Sequence, residues 1–599
     1  MRAGRLIVLG LLAVLPVGNA CAANLFGVVS ERNSAVAAEA SEQFEKRFPD
    51  HQVILRTPRQ LAGLDDRTIS RLLADADAVL IAGVFGEDAA RVGRLVEAVP
   101  ASKRLFAVSS ASTLVEQSKQ RFVAGSSVWD TANAYWQGRG VDNLANLFAF
   151  ASQDQPQGIP EPHPLRPIRS GERLGPNDAP LVVLFDYETG DLAGNVDLHE
   201  ALCEALLAHD LACRSVFADW GSPSAEALEQ IRSEPPAAVV MLQDFAVGGS
   251  DRDRATAALM ALDVPVLKGI RLNESDRRRW QRGSEGLPTD SVYYRVAMPE
   301  LSGTSQPFVL ALSEPPRIDP VSGIEVRVTA PVPEEVASAS RRIARWTALQ
   351  QAENAEKRLA IVYYNHPPGR HNIGADNLDV PQSLFEILQR LRAEGYEVGE
   401  LPESPEALLE QIQQEAVNLP ENNAALVALQ EAGLGHPSGP YRAWLGTLPE
   451  WTRAELIDGP LAALEHRVDE ALVAQDLDAA NEIVGAALHD MAYVIEGAPA
   501  RYHERAEALL DQLRDAYTDR IGGQGDAAVL ADLTRALQNQ GIEGLRGWGA
   551  VPGAVMTVVD EFVFPHLRFG NVIIAPQPPR GWEVNEEVLH ANLSVPPTH

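Results

Sequence analysis

Short apolar runs alternate with helix-length amphipathic segments, and this constrains the chain more than any other feature. Runs at 25–29, 52–55, 78–82 and 105–108 are four or five residues long. That is strand length, and a segment such as 35–48 between them has helical spacing. Strands joined through helices run parallel, so the pattern predicts a parallel sheet with helices on both faces. It recurs at 181–185, 212–217, 237–242 and 264–267, with a helix over 194–209. A third unit opens with a strand over 359–364, after a helix from about 333 to 356. Its next helix, 381–394, stops at Gly395, and a strand is expected to begin at 396–398. From 449 to 540, Leu, Ala and Val recur at three- and four-residue spacing with no strand between them. The expected fold class is α/β: several βαβ parallel-sheet domains with a helical insertion. The expected domains are 23–165, 175–335, 355–448, the insertion 449–540 and a final segment 541–599, with a proline-rich linker at 155–167. A length of 599 residues suits about three to four domains.

Residues 1–22 read as an export signal. Arg2 and Arg5 precede an apolar stretch at 6–17, and Ala20-Cys21-Ala22 fits a cleavage site. The stretch is too short to span a bilayer, although a retained anchor and lipidation of Cys21 are alternatives. The expectation is an exported, periplasmic chain with no transmembrane segment after signal removal. A formal charge of −31, from 51 basic and 82 acidic residues, argues against nucleic acid and anionic membranes as partners. Cys203 falls on an expected helix and Cys213 near the next strand, where Cβ directions often disagree. Two buried free thiols are therefore expected rather than a bridge. The chain has no G-x-x-x-x-G-K-[ST], H-E-x-x-H or G-x-S-x-G motif. Any ATP consumed in its reaction must be hydrolysed by another protein.

Three loops draw attention. Residues 186–190 follow a strand at the edge where open α/β sheets bind ligands, although an ordinary turn also explains them. Asn365, His366, Arg370, His371 and Asn372 share a loop shaped by Pro367, Pro368 and Gly369. Such a set suits a metal ion or the carboxylate and amide groups of a ligand, and it equally suits a rigid turn. Near the end, 572–575 reads as a buried strand. Pro576, Pro578 and Pro579 remove ladder donors, so the chain must leave the sheet there. The departing loop presents Gln577, Arg580, Trp582 and Glu583, which as a bland alternative form a tryptophan plug and a surface ion pair.

The segment 568–583, with Gly547-Trp548-Gly549, Pro552-Gly553, His590 and 596–599, resembles the large subunit of cobaltochelatase, a relative of the magnesium chelatase H subunit. The block 361–374, followed by 378–384, adds a second match in the same order. The resemblance is clear from about residue 285 onward. It implies ATP-dependent insertion of cobalt(II), as substrate metal, into a hydrogenobyrinate-type tetrapyrrole, with AAA+ partner subunits hydrolysing the ATP. It further implies that Glu583 handles metal or proton and that His599 is a metal-handling imidazole, so both are candidate catalytic and metal residues. Arg580 and Trp582 would orient the macrocycle. Gln577, Asn571, Asn365, His366 and His371 are the remaining candidate substrate-binding residues. Family chains continue past the position of His599, which implies either a truncated gene product, inactive without the missing half, or a chelatase core completed by a companion chain. The export signal conflicts with a cytoplasmic ATP-dependent motor. Two further expectations therefore stand beside the first: a periplasmic tetrapyrrole- or metal-binding protein of an envelope transport system, and a non-catalytic scaffold subunit.

Overall fold

Apolar runs with no polar face must be covered on both sides, and the first four are. Asn24–Val29 (β1), Gln52–Arg56 (β2), Ala78–Ala82 (β3) and Arg104–Val108 (β4) form a parallel sheet in the order β2-β1-β3-β4. β3 is buried at every position, as an inner parallel strand should be. Helices Ser34–Arg47 and Gly140–Ser152 pack on one face, and Gly86–Ala98 on the other. The computed structural model describes residues 24–577, except 124–125, 154–157, 189–195, 283–285, 366–368, 375–376, 420–421, 449, 543, 548 and 550–555.

The second sheet comprises Ile168–Ser170 (β5), Leu181–Tyr187 (β6), Ala212–Ala218 (β7), Ala238–Met241 (β8), Val266–Asp276 (β9) and Ser305–Ser313 (β10). After a small pair, Arg317–Ile318 (β11) with Glu325–Val326 (β12), Thr329–Pro331 (β13) closes it. The order is β13-β10-β9-β8-β6-β7-β5, with five inner parallel strands and antiparallel edges. The chain turns from β6 to β7 on one side and reaches β8 on the other. That reversal opens a crevice at the carboxyl ends of the strands.

The sulfurs of Cys203 and Cys213 are joined in a disulfide, which corrects the expectation of free thiols. Helix Val196–Leu207 lies directly over β7 after a tight turn at 208–211. This brings the two Cα atoms to 5.3 Å, within bridging range.

In the remaining sequence, Leu359–Tyr363 (β14) is followed by Gly435–Pro437 (β15), Thr557–Val558 (β16), Glu561–Val563 (β17), Leu567–Phe569 (β18) and Val572–Pro576 (β19). β14 pairs in parallel with β19, and β18 flanks β19 antiparallel, while β15, β17 and β16 form a separate small sheet. The helix starting at Val380 begins on an Asp379 cap, whose carboxylate accepts from Gln382 N at 3.1 Å, and Gly395 follows it at φ 84°. The strand expected at 396–398 is absent. That segment makes one bond to the β18–β19 turn, Asn571 N donating to Glu397 O at 2.9 Å, because β18 and β14 already occupy both edges of β19. Helices Glu450–Asp458, Pro460–Val473, Leu477–Gly497, His503–Ile521 and Ala527–Gln538 fill the expected helical stretch. Leu464, Leu488, Leu510, Leu513, Tyr517 and Leu530 build the common core of the last four.

The described residues fall into two compact units, one within 1–276 and 290–344, the other within 277–289 and 345–599. No described helix is long and apolar enough to cross a membrane.

A bridge closing so short a loop contributes about 3 kcal/mol on loop entropy. Thermal unfolding of the oxidised chain should therefore fall by several degrees on adding a reductant. The Cys203→Ser/Cys213→Ser double variant should show no response to reductant. A parent chain indifferent to reductant would contradict the bridge.

Candidate functional site

Two of the sequence-marked loops leave the same edge of one sheet. β14 and β19 run parallel with Tyr363 opposite Pro576, so the chain exits both strands side by side. Gln577 N donates to Tyr363 O at 2.7 Å, which extends the ladder one step past Pro576. The buried Asn418 ties the two exits together. Its Nδ2 donates to Gln577 O at 2.6 Å, and its backbone N–H donates to Asn365 Oδ1 at 2.8 Å. Asn365 is buried too, and its Nδ2 donates to Gly369 O at 3.0 Å and to Asn372 O at 2.9 Å. The Asn365 amide thus shapes the loop from within. His371 is exposed on it, and Arg370 donates to Gln413 O and Gln414 O at the end of helix Pro405–Glu415. Asn571 lies at the opposite, amino end of β19, with Nδ2 donating to Ala355 O at 2.9 Å. His366, Arg580, Trp582, Glu583 and His599 lie outside the described residues. Asn418 was missed by sequence reasoning, and nothing in its local spacing marks it.

A second polar assembly occupies the crevice of the seven-stranded sheet, beside the loop beginning at Asp186. Asp186 is fully buried at the end of β6. Both Nη atoms of Arg271 donate to its carboxylate, and His199 Nε2 lies 2.8 Å from Asp186 Oδ2. The other ring nitrogen of His199 lies 2.8 Å from Ser215 Oγ. Burial alone would raise the Asp186 carboxyl. The Arg271 charge and the bonds from His199 and Arg271 outweigh it and hold the group below the ordinary carboxylate range. One strand position deeper, the buried Lys268 Nζ donates to Gln243 O at 3.0 Å, Asp244 Oδ1 at 3.0 Å and Gly269 O at 2.8 Å. Burial pushes its ammonium below the usual lysine value against the pull of Asp244. Arg295 makes a two-point pair with Glu274 at 2.7 and 3.1 Å. Phe245, held at φ 63°, stacks on Tyr294 with ring centroids 5.2 Å apart.

These charges close on one another, so the assembly fixes the strand ends of the crevice. The sequence flagged Asp186 and missed His199, Lys268, Arg271 and Arg295. The available signal was two cations, Lys268 and Arg271, inside an otherwise apolar strand run. Among the described residues no group of three or more His, Cys, Asp or Glu is placed to hold a metal ion.

Breaking a buried pair leaves an uncompensated charge, which costs about 3–5 kcal/mol. Arg271→Met should lose that much in urea unfolding at neutral pH. Because folding depresses the Asp186 carboxyl, its contribution is full above the unfolded value of about 3.9 and is lost as pH falls through the folded value. The stability gap between parent and Asp186→Asn should therefore shrink as pH drops below about 4. A gap constant down to pH 2 would contradict the assignment.

The chain matches the family described as CobN/Magnesium Chelatase over residues 133–485 and 474–599. It is 32% identical over 253 residues to the magnesium-chelatase subunit ChlH, chloroplastic, of Oryza sativa subsp. indica, covering 41% of this chain and 18% of that one. It is 28% identical over 304 residues to the aerobic cobaltochelatase subunit CobN of Sinorhizobium sp, covering 46% of this chain and 24% of that one. Its fold is similar to that of the catalytic subunit of cobaltochelatase from Mycobacterium tuberculosis, with a TM-score of 0.52 at 22% identity over 94% of this chain and 39% of that one. The matched stretches thus span 18% and 24% of those two curated relatives. With most of its length inside the family's pattern, this chain belongs to the CobN/magnesium chelatase family.

Proposed function

We propose that this chain handles the tetrapyrrole in an ATP-dependent chelatase that inserts cobalt(II) into a hydrogenobyrinic acid a,c-diamide ring. The observation that carries this reading is the match to the CobN/magnesium chelatase family through residue 599, which includes the Gln577-Pro-Pro-Arg580-Gly-Trp582-Glu583 segment. The paired exits of β14 and β19 support it, because they deliver the Asn365 loop and the start of that segment to one edge. Metal insertion requires two pyrrole protons to leave while a hydrated cation sheds water. In this reading Glu583 accepts a proton or passes the metal, with His599 as a second donor to the metal. Arg580 pairs with peripheral carboxylates, and Trp582 lies against the ring face. His366 and His371 are further candidate contacts to the macrocycle. AAA+ subunits supply ATP hydrolysis.

One observation favours a second reading, an exported tetrapyrrole carrier. The Cys203–Cys213 bridge suits an oxidising compartment, as does the basic and apolar leader at 1–22.

Titration of the chain with hydrogenobyrinic acid a,c-diamide, followed by tryptophan fluorescence, tests both readings. The chelatase reading predicts saturable binding, weakened about tenfold or more by Arg580→Ala, as loss of a charge-assisted bond requires. It also predicts ATP-dependent cobalt insertion with AAA+ subunits present, abolished by Glu583→Ala with binding retained. Binding without any insertion would leave the carrier. No binding would overturn both and leave a scaffold.

A further inference from the structure

A cavity of about 350 Å³ lies where the end of helix Val128–Gly138 and the connector at 162–165 meet the carboxyl end of β7. Its lining includes Ala134, Arg139, Pro162, Pro164, Leu165 and Asp219. None of these belongs to either site described above. Cavities of roughly this size upward accommodate small ligands, and the carboxyl edge of an α/β sheet is where such ligands sit.

Arg139 is the unusual member. It joins helices Val128–Gly138 and Gly140–Ser152 at φ 51°, a conformation that disfavours any residue carrying a Cβ. Glycine would relax that backbone, so arginine there needs a reason in its side chain. Its Nε is buried and has no hydrogen-bond partner among the described residues. Asp219 faces the same cavity and attracts Arg139, yet among the described residues no ion pair joins the two. Burial draws the guanidinium below its usual value, reinforced by Arg32 and opposed by Asp219, and burial raises the Asp219 carboxyl. A partly buried cation and a partly buried carboxylate thus share one cavity without an ion pair between them, and the rest of its lining is Ala134, Gln137, Gly138, Pro162, Pro164 and Leu165.

The walls are fixed. Asn143 clamps the connector at two points, with Nδ2 donating to His163 O at 2.9 Å and Oδ1 accepting from His163 N at 3.0 Å. Tyr135 Oη donates to Pro160 O at 2.6 Å, and Asp219 N donates to Pro167 O at 2.9 Å. A Cβ at Gly138 would meet His163 O at 2.2 Å, so glycine permits the connector's close approach. The connector is therefore pinned to helices Val128–Gly138 and Gly140–Ser152 and to the end of β7, and the cavity is preformed.

We propose that this cavity binds a small amino- or amido-carboxylate, its carboxylate on Arg139 and its N–H donors on Asp219. A guanidinium only donates and a carboxylate only accepts, so one ligand satisfies both by carrying an anion and a donor across a short apolar spacer.

Ligand-observed NMR titration of the chain with four four-carbon probes tests this. 4-Aminobutanoate and succinamate should bind. Succinate, which offers no donor at neutral pH, and succinamide, which has no charge, should bind at least tenfold more weakly. Arg139→Gly should lose binding of the first two probes at least tenfold while its Tm stays equal to the parent's or rises. Asp219→Asn should erase the preference of 4-aminobutanoate over succinate. The proposal is overturned if no probe binds the parent at millimolar concentration, if the four bind alike, or if Arg139→Gly binds as the parent does. A fall in Tm for Arg139→Gly would also overturn it, because the guanidinium would then be serving the fold.

Discussion

The parallel pairing of β14 with β19 is the contact on which the candidate site depends. The two strands are separated in sequence by the whole helical insertion, and their register sets Tyr363 against Pro576. Antiparallel pairing would have sent the Asn365 loop and the proline-rich exit to opposite edges. Parallel pairing places them together, and Asn418 locks the arrangement by bonding both. A buried amide with its donors and acceptor used costs little, whereas the same amide left unpaired would cost roughly 1–3 kcal/mol. This explains why the loop beginning at Asn365 is organised from inside and its exposed surface is left to His371 and its neighbours.

The same logic runs through the seven-stranded sheet with charges in place of amides. Its crevice opens where β6 has β7 on one side and β8 on the other. Asp186, His199, Arg271, Lys268 and Asp244 fill that opening with paired charges, although Arg271 Nε has no hydrogen-bond partner among the described residues. Arg139 and Asp219 stand apart from this pattern, since they share a cavity and remain unjoined. Charges that neutralise each other hold a fold, and charges held apart leave room for a third party.

Much of the fold was legible because inner parallel strands are buried on both faces and therefore appear as unbroken apolar runs. β1, β3, β6 and β8 are of this kind, and the edge strand β4 is nearly as buried. β10 escaped notice because Gln306 and Pro307 interrupt it, and its pairing with β9 shifts register three times. The edge strands β5 and β13 are three residues each, too short for any periodicity. The Cys203–Cys213 bridge depended on how closely a helix folds back onto its following strand, a tertiary distance that local spacing does not carry. In the candidate site, the Asn365 loop and Gln577 were legible from composition at strand ends. Asn418, which joins them, was not, because its role exists only once the two strands have paired.

The central claim is that a tetrapyrrole engages the edge shared by the Asn365 loop and the exit at Gln577. Hydrogen–deuterium exchange of the chain with and without hydrogenobyrinic acid a,c-diamide tests it most directly. The account predicts slowed exchange in the peptides spanning 369–374 and the chain around Gln577, with the helical insertion unchanged. Protection confined to the helices between Glu450 and Gln538, or no protection at either exit, would contradict it.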